Sequence, residues 1–149
     1  MTQEDKNLLL QDLCGRLPYG VVIQEKCLEH DETFLPCAED NKVVNIDVHE
    51  DLVITSGGSR YYIEDIKPYL FPLSSMTEEQ KRKYNSLRNF VPTYHYEYGD
   101  IVEDTELYDN WESIDYLIAN HFDYRGLIEM GLAIDATGLN IYINHDTGR

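Results

Sequence analysis

The stretch NHFDYRGLIEMGLAI, residues 120–134, sets His121, Asp123, Tyr124 and Arg125 almost side by side. Residues of these types can move a proton, orient a carbonyl or clamp an anion, provided that they converge on one point. Their neighbours suggest a different use. The apolar spacing on either side predicts that one helix ends here and a shorter one begins, and each residue then has a structural task. His121 falls at a helix C-terminus, where positive charge is favoured, and Asp123 is placed to cap the next helix. Phe122, Tyr124, Leu127 and Ile128 can pack the corner. Arg125 is left over; as the first cation after a long acidic stretch, it is expected to pair with Asp115 or Glu129. The group is therefore read as a structural corner.

Other clusters have equally plain structural readings. Cys27, His30, Cys37 and His49 are the right residue types for zinc, and Cys27-x2-His30 has a chelating spacing. A second short pair is missing, so no metal is assigned. His30-Asp31-Glu32 and His49-Glu50-Asp51 put acids beside histidines, but consecutive residues on a turn point apart. Residues 56–60, SGGSR, lack the strand-to-helix context and the lysine of a phosphate loop, and a hairpin turn explains them better. There is no nucleophile elbow and no HExxH. No catalytic residue and no cofactor are assigned, and a hydrolase or metal-dependent enzyme using dispersed histidines and carboxylates is the less favoured alternative.

The elements that would position these groups follow from patterning. A chain of 149 residues can bury roughly 68–70% of its unfolded surface, enough to fold without a metal or disulfide staple. The odd cysteine count, without a CxxC pair, fits reduced thiols in a cytoplasmic protein, buried as small apolar residues. No apolar run approaches the roughly 20 residues of a membrane span, and the acidic N-terminus does not read as a secretory signal.

Residues 4–14 are predicted as a first helix with Leu9, Leu10, Leu13 and Cys14 on one face and Gly15 as its stop. From Val21 to Ile63, the segments VVIQEKCL, TFLPC, KVVNIDV, LVITS and RYYI predict four or five short antiparallel strands, with a tight turn at Gly57-Gly58. IKPYLFPLSSM reads as a connector because of Pro68 and Pro72. Thr77 opens a helix over about 78–90 through the capping box TEEQ. Residues 92–109 have no helical period and read as a loop or irregular edge strand. A helix over about 111–121, capped by Asp109 or Asn110, carries the stripe Trp111, Ile114, Leu117, Ile118. Then come the short helix after Asp123, closed by Gly131, and a hairpin formed by LAID and LNIYI.

The fold class expected is thus α+β: an N-terminal helix with a small antiparallel sheet or barrel over 1–73, then a mainly helical lobe over 74–149 ending in a short hairpin, the two forming one compact unit. The helix, helix, hairpin order is that of a winged helix.

Charge sets the kind of partner. The formal net charge is −16, and between Arg88 and Arg125 there is no Lys or Arg, while nine acids lie there. Such a field repels a phosphate backbone and attracts a basic surface, so direct nucleic-acid binding is excluded and a protein partner with a basic surface is expected. The tyrosines Tyr94, Tyr96 and Tyr98, interleaved with Asp100, Glu103, Asp104 and Glu106, are the candidate contact. Carboxylates spaced along such a surface can also imitate a nucleic-acid backbone and inhibit a host DNA- or RNA-binding protein. That is the alternative within the binding class.

Three stretches carry a likeness. Asp12 to Val21 (DLCGRLPYGV), Lys67 to Glu79 (KPYLFPLSSMTEE) and His121 to Ala133 (HFDYRGLIEMGLA) resemble small uncharacterised proteins encoded by phages, prophages and mobile elements of gut Bacteroidetes. The resemblance implies a phage or mobile-element product in a bacterial cytoplasm. It implies no mechanism. With the charge, it points to a non-enzymatic, acidic, protein-binding modulator.

Overall fold

The computed structural model describes residues 1–26 and 40–142. Helix α1, Gln3–Arg16, starts at Thr2, whose hydroxyl accepts from the Asp5 amide while the Asp5 carboxylate takes the Thr2 amide. It runs through Gly15 to Arg16, and its buried face is Leu9, Asp12, Leu13 and Arg16. The spacing i, i+3, i+4, i+7 is that of one helical face, but half of that face is ionic. Cys14, expected inside, is exposed.

Strand β1, Ile23–Glu25, is followed by β2, Val43–Asp47, β3, Leu52–Thr55, and β4, Arg60–Tyr62. The last three form an antiparallel sheet in the order β2-β3-β4. The turn between β3 and β4 needs its glycines. Gly58 has φ 87°, and a Cβ on Gly57 would lie 2.9 Å from the Asp40 carbonyl oxygen. The predicted strand TFLPC lies outside the described residues.

Strand β5, Ile66–Pro72, corrects the expectation of a connector. It is the spine of the fold: β1 pairs with it antiparallel, and two short strands, β8 (Phe122–Asp123) and β9 (Ile134–Asp135), pair with it in parallel. Its prolines are tolerated because other residues supply the donors. Tyr69 N–H donates to Val22 O at 2.9 Å and Phe71 N–H to His121 O at 2.8 Å.

Helix α2, Glu78–Leu87, has the capping box that TEEQ predicts, between Thr77 and Gln80. Helix α3, Trp111–Ala119, is capped by Asn110. Between them the chain makes a long hairpin, β6 (Asn89–Glu97) and β7 (Asp100–Tyr108), where a loop or irregular edge was expected.

The expected helical C-terminal lobe is not found. Among the described residues there are three α-helices, and none follows α3. Gly126, inside the stretch predicted as a short helix after Asp123, and Gly131 at its end adopt φ 78° and 75°; between them the chain makes a single turn, too short to recover the nucleation cost of a helix. The LAID segment, expected in a hairpin with LNIYI, contributes β9 to the edge of β5; the end of LNIYI lies outside the described residues. The winged-helix order is thereby lost. Leu127, Leu132 and Ala133 instead pack in the same core as Leu9, Leu13, Ile23, Val53 and Leu70. No helix of the described residues is long and apolar enough to cross a membrane.

Candidate functional site

The corner at His121 to Arg125 is built around Asp12. Arg16 donates to this carboxylate from Nε at 2.7 Å and Nη2 at 3.3 Å, and Nη2 also donates to Phe122 O at 2.6 Å. Arg125 reaches the same carboxylate, Nε to Oδ1 at 3.2 Å, and not Asp115 or Glu129. Both guanidiniums lie against the Tyr124 ring, 5.7 Å and 4.9 Å from its centroid. Asp123 is buried and accepts the amides of Leu127 and Ile128, both at 2.9 Å. It therefore caps a turn where a helix was expected.

His121 sits in the left-handed region, φ 64°, just past the Asn120 C-cap of α3, with its N–H donating to Ile118 O at 3.1 Å. Its ring stacks on Tyr142 at 3.6 Å and 11°. Tyr142 donates from its hydroxyl to Tyr69 O at 2.6 Å and accepts from Val22 N–H at 2.9 Å. Burial pushes the Tyr142 phenol well above its ordinary pKa. These contacts tie α1 to β8 and the C-terminal segment to β5. Asp12 accepts three hydrogen bonds from two guanidiniums and Asp123 accepts two from main-chain amides, so both carboxylates hold the corner together.

Beside this corner lies a cleft of about 270 Å³, floored by Phe71, Phe122 and Tyr142 and rimmed by Gln80, Asn120 and Thr137. Among the described residues its lining offers rings, amides and hydroxyls but no carboxylate, imidazole, thiol or cation. Among the described residues no three His, Cys, Asp or Glu side chains group to hold a metal. Of the zinc candidates, Cys27, His30 and Cys37 lie outside the described residues. His49 is exposed on a turn in which the Asp47 carboxylate accepts the amides of His49 and Glu50. Cys14 is exposed, but burial raises its thiol pKa, the reverse of an activated nucleophile.

The β6–β7 hairpin gathers every residue proposed from sequence as a partner contact. Each strand has nine residues, and the register pairs Tyr94 with Glu103, Tyr96 with Ile101 and Thr93 with Asp104. Directly opposed residues share a face and alternate residues change face, so the arm has two unlike sides. One carries Phe90, Pro92, Tyr94 and Tyr96 with Leu107, Thr105, Glu103 and Ile101. The other carries Asn89, Val91, Thr93, His95 and Glu97 with Tyr108, Glu106, Asp104, Val102 and Asp100, so its four acids stand among neutral residues.

The candidate residues are thus divided between the sides: Tyr94, Tyr96 and Glu103 on the aromatic side, Asp100, Asp104 and Glu106 on the acidic one. Tyr98 is at the tip, 98% exposed. The aromatic side is uncovered, with Phe90 at 68%, Tyr94 at 66%, Tyr96 at 78% and Ile101 at 66% exposure. Phe90, Ile101 and Leu107 were not singled out in the sequence. The signal for them was the Tyr98-Gly99 turn between two runs of alternating character.

The root of the arm is held between α2 and α3. Asn110 Nδ2 donates to Leu87 O at 2.7 Å and Asn89 Oδ1 at 2.9 Å. Arg88 Nη2 donates to Leu107 O at 3.0 Å, its Nε lies 3.4 Å from Asp109, and its guanidinium covers the Tyr84 ring at 4.9 Å. Tyr84 donates to Asp109, and burial together with that carboxylate pushes its phenol up to about 12. Trp111, expected in the buried stripe of α3, instead stands beside this root, 87% exposed. No protein-family model, curated protein or solved structure matches the chain.

Proposed function

We propose that this protein is a non-enzymatic, acidic, protein-binding modulator whose β6–β7 arm contacts a partner with a basic surface. The observation that carries the reading is the arm itself. A long hairpin leaves four large apolar side chains of one face uncovered while placing Glu97, Asp100, Asp104 and Glu106 on the other. An exposed apolar patch rimmed by charge is the usual mark of an interaction surface. The corner offers no comparable surface, since Asp12 is buried with Arg16 and Arg125 on it and Asp123 is buried against the amides of Leu127 and Ile128. The resemblance noted above supports a phage or mobile-element setting in a bacterial cytoplasm.

The arm can be removed cleanly, because Asn89 and Tyr108 are directly paired and their Cα atoms lie about 5 Å apart, within reach of a two-residue Asn-Gly turn. The chain with residues 90–107 replaced by that turn should retain its helical circular dichroism and cooperative unfolding. It should also lose the proteins that the intact chain captures from a bacterial lysate at low salt. Capture unchanged by the deletion would refute the reading. Sharing of four acids by one side of the arm favours nucleic-acid mimicry as the second reading; displacement of DNA or RNA from the captured protein by the intact chain alone would establish it.

A further inference from the structure

The edges and the faces of the arm are not equally available. Tyr98 and Gly99 both have positive φ, 52° and 85°, the type I′ geometry in which Glu97 and Asp100 exchange hydrogen bonds. Alternation then makes Tyr96/Ile101, Tyr94/Glu103, Pro92/Thr105 and Phe90/Leu107 the pairs whose main-chain groups point outward. On β6 the outward donor at position 92 is missing, because the residue is proline. On β7 the outward amide of Thr105 is taken by Asp104 Oδ1 at 2.8 Å, and the outward carbonyl of Leu107 by Arg88 at 3.0 Å. Each edge is interrupted, as protected sheet edges are. The faces carry no such protection.

Size then selects the mode of contact. Two strands of this length make a face of about 30 Å by about 10 Å, or roughly 300 Å². A stable interface needs roughly 800 Å² from each partner. Self-association through the aromatic faces would use one face only and would bring together two chains of net charge −16. Enclosure of both faces, with Trp111 at the root, approaches the required area.

We propose that the arm inserts into a groove on a partner protein and is held by side chains rather than by strand addition. The groove presents an apolar floor to Phe90, Tyr94, Tyr96 and Ile101, and a wall bearing lysine or arginine to the carboxylates of the opposite face. This rests on the reading that the arm is the contact.

The test uses the full chain carrying photoreactive p-benzoylphenylalanine at Tyr96 in one preparation and at Asp104 in another. Proteins crosslinked in a lysate of a gut Bacteroidetes strain are identified by mass spectrometry, and the one common to both is purified for calorimetry. Glu103→Pro should bind within about twofold of Glu103→Ala, since residue 103 makes no bond within the hairpin. The pair Tyr94→Ser/Tyr96→Ser, and separately the set Glu97→Gln/Asp100→Asn/Asp104→Asn/Glu106→Gln, should each weaken binding about tenfold or more. The acid set should in addition flatten the salt dependence.

Loss of binding in Glu103→Pro but not Glu103→Ala would replace insertion with strand addition. Sensitivity to one face alone, or crosslinking to a second copy of the chain, would also overturn it. Undiminished binding by the arm-deleted chain overturns the parent reading, as does the absence of any protein crosslinked from either position, whereas a protein crosslinked from one position alone overturns insertion only.

Discussion

Asp12 is the carboxylate on which the buried charge of the fold balances, and its removal has a calculable consequence. Asp12→Ala takes the acceptor from Arg16 and Arg125 together. The Arg16 side chain is 0% exposed, whereas that of Arg125 is 24% exposed. Arg125 can turn toward water, but Arg16 cannot. It would keep its hydrogen bond to Phe122 O at 2.6 Å and its place beside the Tyr124 ring but no anionic partner, and its Nη1 already has no hydrogen-bond partner among the described residues. A buried cation left unpaired costs about 3–5 kcal/mol. For a chain of this size each kcal/mol moves the melting temperature by about 2–4 °C, so Tm should fall by about 6–20 °C.

Two companion variants separate charge from packing. Arg125→Gln leaves the Asp12–Arg16 pair intact and should cost less than about 1 kcal/mol. Asp12→Leu/Arg16→Met removes both buried charges at similar volume and should recover most of what Asp12→Ala loses. The assay is urea unfolding followed by far-ultraviolet circular dichroism. Trp111 is already 87% exposed, so its emission is a poor reporter of unfolding. A cost below about 1 kcal/mol for Asp12→Ala, or a double variant no more stable than the single one, would refute the reasoning.

Two further outcomes follow from the same contacts. Burial raises the Tyr69 phenol to about 12 and the Tyr142 phenol further. The folded state therefore holds these protons after the unfolded chain has lost them; their contribution is fully present below about pH 10 and is lost as pH rises from about 10 through about 12, and Tyr142→Phe should make the alkaline unfolding curve shallower. Tyr98 adopts φ 52°, which a large side chain occupies at a cost. Tyr98→Asn should stabilise the hairpin by about 0.5–1 kcal/mol, read as slower amide exchange in β6 and β7 without a change in the exchange of α1.

What could be read from the sequence was local chemistry. Thr77 and Gln80 announce their helix because both halves of a capping box lie within one turn. The role of Asp123 as a cap was also legible, although what it caps is a turn. Long-range partners were not legible. Asp12 and Arg125 are 113 positions apart, and a helix face that alternates leucine with an ion pair has no signature in hydrophobic periodicity. Strand β5 was hidden by its two prolines, which argue against a central strand unless the donors can be seen to come from Tyr69 and Phe71. The arm was hidden because its strands bury nothing; alternation is usually read as one side facing a core, and here no core lies beneath either side.

That last property makes the charge of the chain intelligible. A hairpin that leaves an aromatic face of roughly 300 Å² in water is an aggregation hazard, and a two-stranded ribbon gains little stability by itself. Three features offset the hazard. The root is clamped by Arg88, Asp109 and Asn110, which fixes where the ribbon leaves the body. The edges are interrupted at Pro92, Thr105 and Leu107, which blocks growth by strand addition. The remaining route, stacking of aromatic faces between copies, is opposed by a net charge of −16 per chain acting over a Debye length of about 8 Å at physiological ionic strength. A basic groove reverses the sign of that last effect. The same carboxylates that hold copies apart would then draw the arm in, and one charge distribution would serve both to keep copies apart and to select the proposed partner.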